Sequence, residues 1–192
     1  MTEKEKAAAG LLYQAFDEGL TAERVQAQDL CYDYNLLRPS QLEERIALLD
    51  ALLGSHKGEF LVEQPFHCDY GYNIHIGTHF YANCNCVILD EAPVTFGDHV
   101  LIAPNCGFYT AGHPMTVAER NTGLEYAKPI HIGNNVWIGA NVCVLPGVTI
   151  GDNTVIAAGS VVNRDIPACV LAAGNPCRVV REIQEKPRRM IL

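Results

Sequence analysis

The chain has 192 residues, a formal net charge of −8 at pH 7 and a hydrophobic share of 48%. That length builds one domain with a sizeable core, and the charge disfavours a broad nucleic-acid surface, which needs clustered Lys and Arg over many phosphates. No apolar run of about eighteen residues is present to span a membrane, and the charged start MTEKEKAAAG lacks a secretory pattern, so a cytoplasmic protein with reduced thiols is expected.

Residues 1–57 read as a helical segment. The stretches EKEKAAAGLLYQAF, TAERVQAQDLCYDYNLL and RPSQLEERIALLDALLG repeat apolar residues at three- and four-residue spacing, which predicts three amphipathic helices. Ser40 and Glu43 form a capping-box pattern at the third helix, and Gly54 is placed to end it.

From about residue 58 to residue 175 a different period rules. Ile132, Ile138, Val144, Ile150, Ile156 and Val162 are β-branched and six residues apart, with Val136, Val142, Val148, Thr154 and Ser160 repeating four positions after the anchors. Gly133, Gly139, Gly151 and Ala157 follow anchors where a short strand must turn without a bulky side chain. This pattern predicts a hexapeptide β-solenoid, each unit one side of a triangular coil and three units a rung, with the aliphatic anchors stacked inside. Upstream the beat continues through Ile76, Ala82 and Ile88, then Phe96, Ile102 and Phe108.

Two irregularities interrupt it. Two residues are added between Ile88 and Phe96, where Asp90 and Glu91 stand. A long break, residues 109–129, carries His113 in TAGHP, and a solenoid can expel such an insertion as a loop at a corner. The loop is expected to project outward and reach a neighbouring chain. Residues 176–192 form a C-terminal tail with a basic cluster, Arg178, Arg181, Lys186, Arg188 and Arg189, suited to one small anion. The eight cysteines show no C-x-x-C pair and read as small buried hydrophobes; no metal site is expected.

The stretches FHCDYGYNIHIG, FYANCN, LIAPN, TAGHP, PIHIGNNVWIGANVCVLPGVTIGDN and AAGNPCRVVREI closely resemble the maltose and galactoside O-acetyltransferases, a family that includes the nodulation acetyltransferases, with the maltose branch nearest. The resemblance runs to about Ile183. It implies a left-handed parallel β-helix and a homotrimer that moves acetyl from acetyl-coenzyme A to a sugar hydroxyl, with active sites between subunits. It also implies His113 as general base, for which an imidazole titrating near neutrality is suited. A backbone N–H, that of Ala140, is implied as oxyanion donor.

By the same resemblance the acceptor is held by Asp69, Asn83 and Glu91, with Asp17 from the helical segment; Glu125 falls at a contact position that is apolar in some relatives. Coenzyme A is expected along the later rungs, on main-chain groups of Ala140 and Ala158, the turn residues Asn163 and Arg164, and Arg178 and Arg181 near its phosphate, with Trp137 over the pantetheine arm, acceptor or simply packed. Three other readings stay open. A serine acceptor is one, although serine acetyltransferases normally carry a much longer helical N-terminus. A zinc carbonic anhydrase would need two histidines five positions apart on one coil, and His67, His75, His79, His99, His113 and His131 contain no such pair. A non-catalytic solenoid would need no invading loop with a histidine.

Overall fold

In a computed structural model, residues 1–184 are described; Lys186, Arg188 and Arg189 of the expected basic cluster lie outside them. Residues Glu3–Ala8 (α1), Glu18–Leu36 (α2) and Leu42–Leu52 (α3) are helices, but the first, expected to run to Phe16, stops at Ala8, because Gly10 at φ 70° turns the chain and Tyr13–Gln14 becomes a strand. α1 starts with a capping box, in which the Thr2 hydroxyl accepts from the Glu5 N–H and the Glu5 carboxylate accepts from the Thr2 N–H. The Ser40–Glu43 box does not form. Gln41 occupies the N-cap of α3 with no side-chain cap bond, because its amide oxygen turns back to accept from the Arg38 N–H at 3.0 Å. Among the described residues no helix is long and apolar enough to cross a membrane.

The rest is a parallel β-solenoid whose strands stack into three faces. The first face holds Ser55–His56, Ile74–Ile76, Val94–Phe96, Ile130–Ile132 and Thr149–Ile150. Phe60–Val62, Phe80–Ala82, Leu101–Ile102, Trp137–Ile138, Val155–Ile156 and Val170–Ala173 make the second. The third is built from Phe66–Cys68, Cys86–Leu89, Gly107–Tyr109, Cys143–Val144 and Val161–Val162. Arg178–Glu182 then folds back antiparallel on Val170–Ala173.

Register follows the six-residue beat, pairing anchor with anchor: Ile138 with Ile156, Val144 with Val162, Ile132 with Ile150. All six anchors are buried, so the branched side chains fill the narrow lumen. In earlier rungs larger rings take over, Phe96 meeting Phe80 and Phe108 edge-on at 5.1 and 5.0 Å. Gly133 is required by close approach, since a Cβ there would lie 2.2 Å from Asp152 Oδ1. The two buried hydroxyls among the repeats are satisfied: Thr154 donates to the Pro167 carbonyl at 2.9 Å, and Ser160 donates to the Ala157 carbonyl and accepts from the Gly174 N–H.

The helices close the first rung. Tyr34, Leu49, Leu52 and Leu53 join the apolar core of the coil, and the buried Arg45 donates to the Val62 carbonyl at 2.7 Å and pairs with Glu63 at 3.0 Å. Gly54 abuts the coil, where a Cβ would lie 2.0 Å from the Tyr72 carbonyl oxygen.

Between Tyr109 and Ile130 the chain leaves the coil. Ala111–Gly112 and Leu124–Ala127 pair antiparallel around a short helix, Val117–Arg120 (α4). Tyr13–Gln14 adds a third strand on the other edge of Leu124–Ala127. The inserted loop is thereby tied to the N-terminal segment of its own chain, and Tyr13, Leu20, Tyr70, Ala92 and Ala127 form a second, smaller apolar cluster beneath it.

Candidate active site

Three corners separate the faces, and they differ in chemistry. At the corner between first and second faces a column of side chains caps the backbone: Thr78 N–H donates to Asp98 Oδ1 at 3.0 Å, Asp98 N–H to Asn134 Oδ1 at 2.8 Å, and Asn134 N–H to Asp152 Oδ1 at 2.7 Å. That corner is closed to a ligand seeking main-chain donors.

The corner between second and third faces carries Asn83, Ala140 and Ala158. Asn83 turns its oxygen to the Cys84 N–H at 2.8 Å. Ala140 and Ala158 hold the place that Asn134 and Asp152 hold at the first corner, and methyl side chains cannot cap. Among the described residues no acceptor claims the Ala140 or Ala158 N–H. Gly139 keeps the rungs close, since a Cβ on it would lie 2.6 Å from the Ala158 nitrogen. Beside this corner the second face exposes Leu101 (50%) and Trp137 (55%), adjacent in register, an apolar strip on an outer wall.

The corner between third and first faces gathers the acidic groups and the loop. His113 is half-exposed, and its Nδ1 lies 3.2 Å from the Leu124 carbonyl. A carbonyl only accepts, so Nδ1 carries the hydrogen, which in a neutral imidazole leaves the lone pair on Nε2. Nε2 stands 3.6 Å from Glu125 Oε1, and Glu125 Oε2 accepts from the Tyr13 hydroxyl at 2.7 Å. Tyr13 and Glu125 are strand partners, so the N-terminal segment orients the carboxylate that faces the histidine. Burial and the Glu125 carboxylate push the Tyr13 phenol up, which keeps it a donor.

Asp90 is fully buried and accepts from the N–H groups of Asp69, Tyr70 and Asn73 at 3.2, 2.8 and 3.3 Å. Burial nonetheless outweighs these three bonds and raises its carboxyl to about 6. Glu91 is raised further, by burial first and by the Asp69 carboxylate next. Asp17 serves as N-cap of α2, accepting from the Gly19 and Leu20 N–H groups at 3.0 and 3.2 Å. Two cavities flank the acidic corner, one of about 140 Å³ lined by Glu91, Tyr13, Tyr70 and Tyr72, the other of about 520 Å³ lined by Asp69, His67, Tyr32 and Gln28.

One chain therefore brings His113, Glu125, Glu91 and Asp69 to one end of the third face and sets Asn83, Ala140 and Ala158 at its other end. Arg178 donates to Asn163 Oδ1 at 3.4 Å and to the Cys177 carbonyl, whereas Arg164 and Arg181 stand exposed. Tyr13 and the Leu124 carbonyl are components without a sequence signature, since each acquires its place through pairing across the fold; Thr110 opens the TAGHP stretch, but nothing in its spacing marks its contact with Glu91. Among the described residues no three His, Cys, Asp or Glu side chains converge on a metal-sized space.

Comparison with known proteins adds to this geometry. Residues 6–58 match the maltose acetyltransferase hexapeptide capping motif, and residues 129–164 match the bacterial transferase hexapeptide of six repeats. The chain is 48% identical to the galactoside O-acetyltransferase of Escherichia coli K12 over 184 residues, covering 96% of this chain and 91% of that one. Its structure is similar to a maltose O-acetyltransferase from Clostridium difficile 630, with a TM-score of 0.95, 49% identity, and 96% and 99% of the two chains covered. It is also similar to a hexapeptide-repeat acetyltransferase from Vibrio cholerae in complex with acetyl-coenzyme A, with a TM-score of 0.88, 42% identity, and 96% and 100% covered.

Proposed function

Because the chain belongs to the maltose and galactoside O-acetyltransferase family of hexapeptide-repeat enzymes, we propose that it transfers the acetyl group of acetyl-coenzyme A to a sugar hydroxyl by direct attack, with His113 as general base. The observation that carries this reading is the His113 tautomer: Nδ1–H is anchored on the Leu124 carbonyl, and the basic Nε2 is presented at a half-exposed position.

A sugar hydroxyl is a weak nucleophile near neutrality, and His113 Nε2 removes its proton as the oxygen attacks the thioester carbon. The imidazolium then formed lies beside Glu125, whose charge stabilises it. The Ala140 N–H, uncapped at its corner, receives the developing oxyanion. As the C–S bond breaks, His113 returns its proton to the departing thiolate, so no acyl-enzyme is needed and the base is restored. Asp69, Glu91 and Asn83 accept hydrogen bonds from acceptor hydroxyls, as short polar groups do in sugar sites, with Asp17 near the rim.

Acetyl-coenzyme A fits the corner of Ala140 and Ala158, where the unclaimed Ala158 N–H suits an amide carbonyl of pantetheine and the Leu101–Trp137 strip covers its methylenes. Asn163, Arg164, Arg178 and Arg181 would serve the distal phosphates, for which guanidinium groups are suited. Since His113 and Ala140 sit at opposite ends of one face, the reading requires a homotrimer in which the loop corner of one chain meets the open corner of the next.

The test is a thiol-release assay with acetyl-coenzyme A across maltose, glucose, galactosides, chitin fragments and serine. Sugar-dependent release is expected. Release with serine alone would assign a different acceptor class, and none with any of them would overturn the reading.

A further inference from the structure

Thr110 is fully buried at the acidic corner, and its hydroxyl oxygen has three close partners. It lies 2.8 Å from the Leu89 carbonyl, 3.0 Å from the Ala92 nitrogen and 3.1 Å from Glu91 Oε2. A threonine hydroxyl has one hydrogen and two lone pairs. The Leu89 carbonyl can only accept, and two oxygens at 2.8 Å need a hydrogen between them, so the Thr110 hydrogen is spent there. The Ala92 N–H donates into one lone pair. The remaining contact, to Glu91 Oε2, closes as a hydrogen bond only if the hydrogen comes from Glu91.

From this donor count we infer that Glu91 is held as a neutral carboxylic acid donating to Thr110. Glu91 would then present an acceptor with an acid carbonyl and no charge of its own. Burial and the Asp69 charge both act in the direction the geometry requires, raising the Glu91 carboxyl well above the usual range.

The surroundings leave the proton in place. Acting on Glu91 are Asp69 from the same corner, Glu125 from the loop strand, Tyr13 from the N-terminal strand, and Tyr70, while the neighbouring Asp90 turns to the Asp69, Tyr70 and Asn73 N–H groups. The nearest cations are otherwise engaged: Lys4, on the wall of the smaller cavity, pairs with Glu23 at 2.9 Å, and Arg24 donates to the Tyr70 hydroxyl and the Ala15 carbonyl at 2.6 and 2.7 Å. An ionised Glu91 would find like charge from Asp69 and Glu125 and, among the described residues, no ion-pair partner.

The role of this acid in acceptor binding rests on the function proposed above, but its proton is measurable without substrate. The experiment is carbon-13 NMR of the full chain labelled at glutamate side-chain carboxyls, titrated from pH 5 to 10. One glutamate should remain protonated at pH 7 and titrate only in the alkaline range; E91Q should remove that signal, and D69N should lower its midpoint by about one unit or more, as loss of a like charge does. If all glutamates are ionised at pH 7, or the alkaline signal persists in E91Q, the inference fails. An unmoved midpoint in D69N would overturn the part given to the Asp69 charge in holding the proton. Should E91Q not fold, T110V makes the same assignment, since removing the hydroxyl that accepts the Glu91 proton should also lower the midpoint. Absence of sugar acetylation would leave this titration unaltered, so the two failures are distinct.

Discussion

Asn134 and Ala140 occupy equivalent places, each two residues after a buried isoleucine, yet the Asn134 N–H is capped by Asp152 at 2.7 Å and the Ala140 N–H is unclaimed among the described residues. A difference of side chain one rung below, Asp152 against Ala158, turns a closed corner into an open one. The groove proposed for the donor thus arises from what the repeats omit.

Replacing the base should isolate chemistry from binding. His113→Ala is expected to lower acetyl transfer by about a hundred- to ten-thousandfold, the usual contribution of a positioned base, with coenzyme A affinity retained by calorimetry. Near-normal turnover would remove His113 from the mechanism.

Glu125→Gln keeps an acceptor for the Tyr13 hydroxyl and removes the charge beside Nε2. Charge-assisted contacts contribute about 1.5–3 kcal/mol, so kcat should fall roughly tenfold or more with little change in the KM for acetyl-coenzyme A. Tyr13→Phe should show a smaller loss of kcat together with a lower Tm, since it also loosens the loop from the N-terminal strand.

Donor and acceptor contacts should separate kinetically. Arg178→Ala is expected to raise the KM for acetyl-coenzyme A about tenfold and leave that for sugar nearly unchanged; Asp69→Ala should do the reverse. Equal shifts in both constants for either variant would show the two sites to be misassigned.

Much of this architecture is legible in the chain. The six-residue return of β-branched residues yields the lumen directly, because only one face of each short strand points inward. A second file carries the same information: Asn135, Asn141, Gly147, Asn153 and Gly159, three positions after successive anchors, all adopt positive φ, the region that asparagine and glycine tolerate best. The capping box at Ser40 misleads because Gln41 competes for the same turn, an outcome local spacing does not decide. Tyr13 and Thr110 were illegible for another reason. Their roles come from partners 112 and 19 residues away, brought close only once the coil and loop have formed.

Asp90 should make stability fall with rising pH. Its folded carboxyl, raised to about 6, binds a proton more tightly than the unfolded one at 3.8. The stabilisation from that proton is full below the unfolded value and is lost as pH rises through the folded one. Relative to Asp90→Asn, the wild-type Tm should therefore decline between about pH 4 and pH 7. A constant difference across that window would show that Asp90 titrates normally.

The shared site is tested by mixing chains. His113→Ala and Ala140→Pro variants, each inactive alone, should regain activity when unfolded and refolded together, with about a quarter of sites restored by random pairing in a threefold ring. Light scattering should give a trimer at micromolar concentration. A monomer would refute the assembly, and a trimer without complementation would place each site within one chain.

The loop at His113 has a consequence for how the chain reaches its shape. Val144 pairs with Val162, 18 positions on, but with Phe108 across 36, because the insertion lies between them. Register is the same on both sides of the gap, so the excursion leaves the stacking geometry unaltered, and doubling a closure length adds only about 0.6 kcal/mol of entropy. The coil is thus a zipper with one wide tooth. Rungs before the loop and rungs after it can each close locally, and their junction, where Phe96, Leu101 and Phe108 pair with Ile132, Trp137 and Val144, spans 36 positions on all three faces and is the place where lengthening of the loop is accommodated.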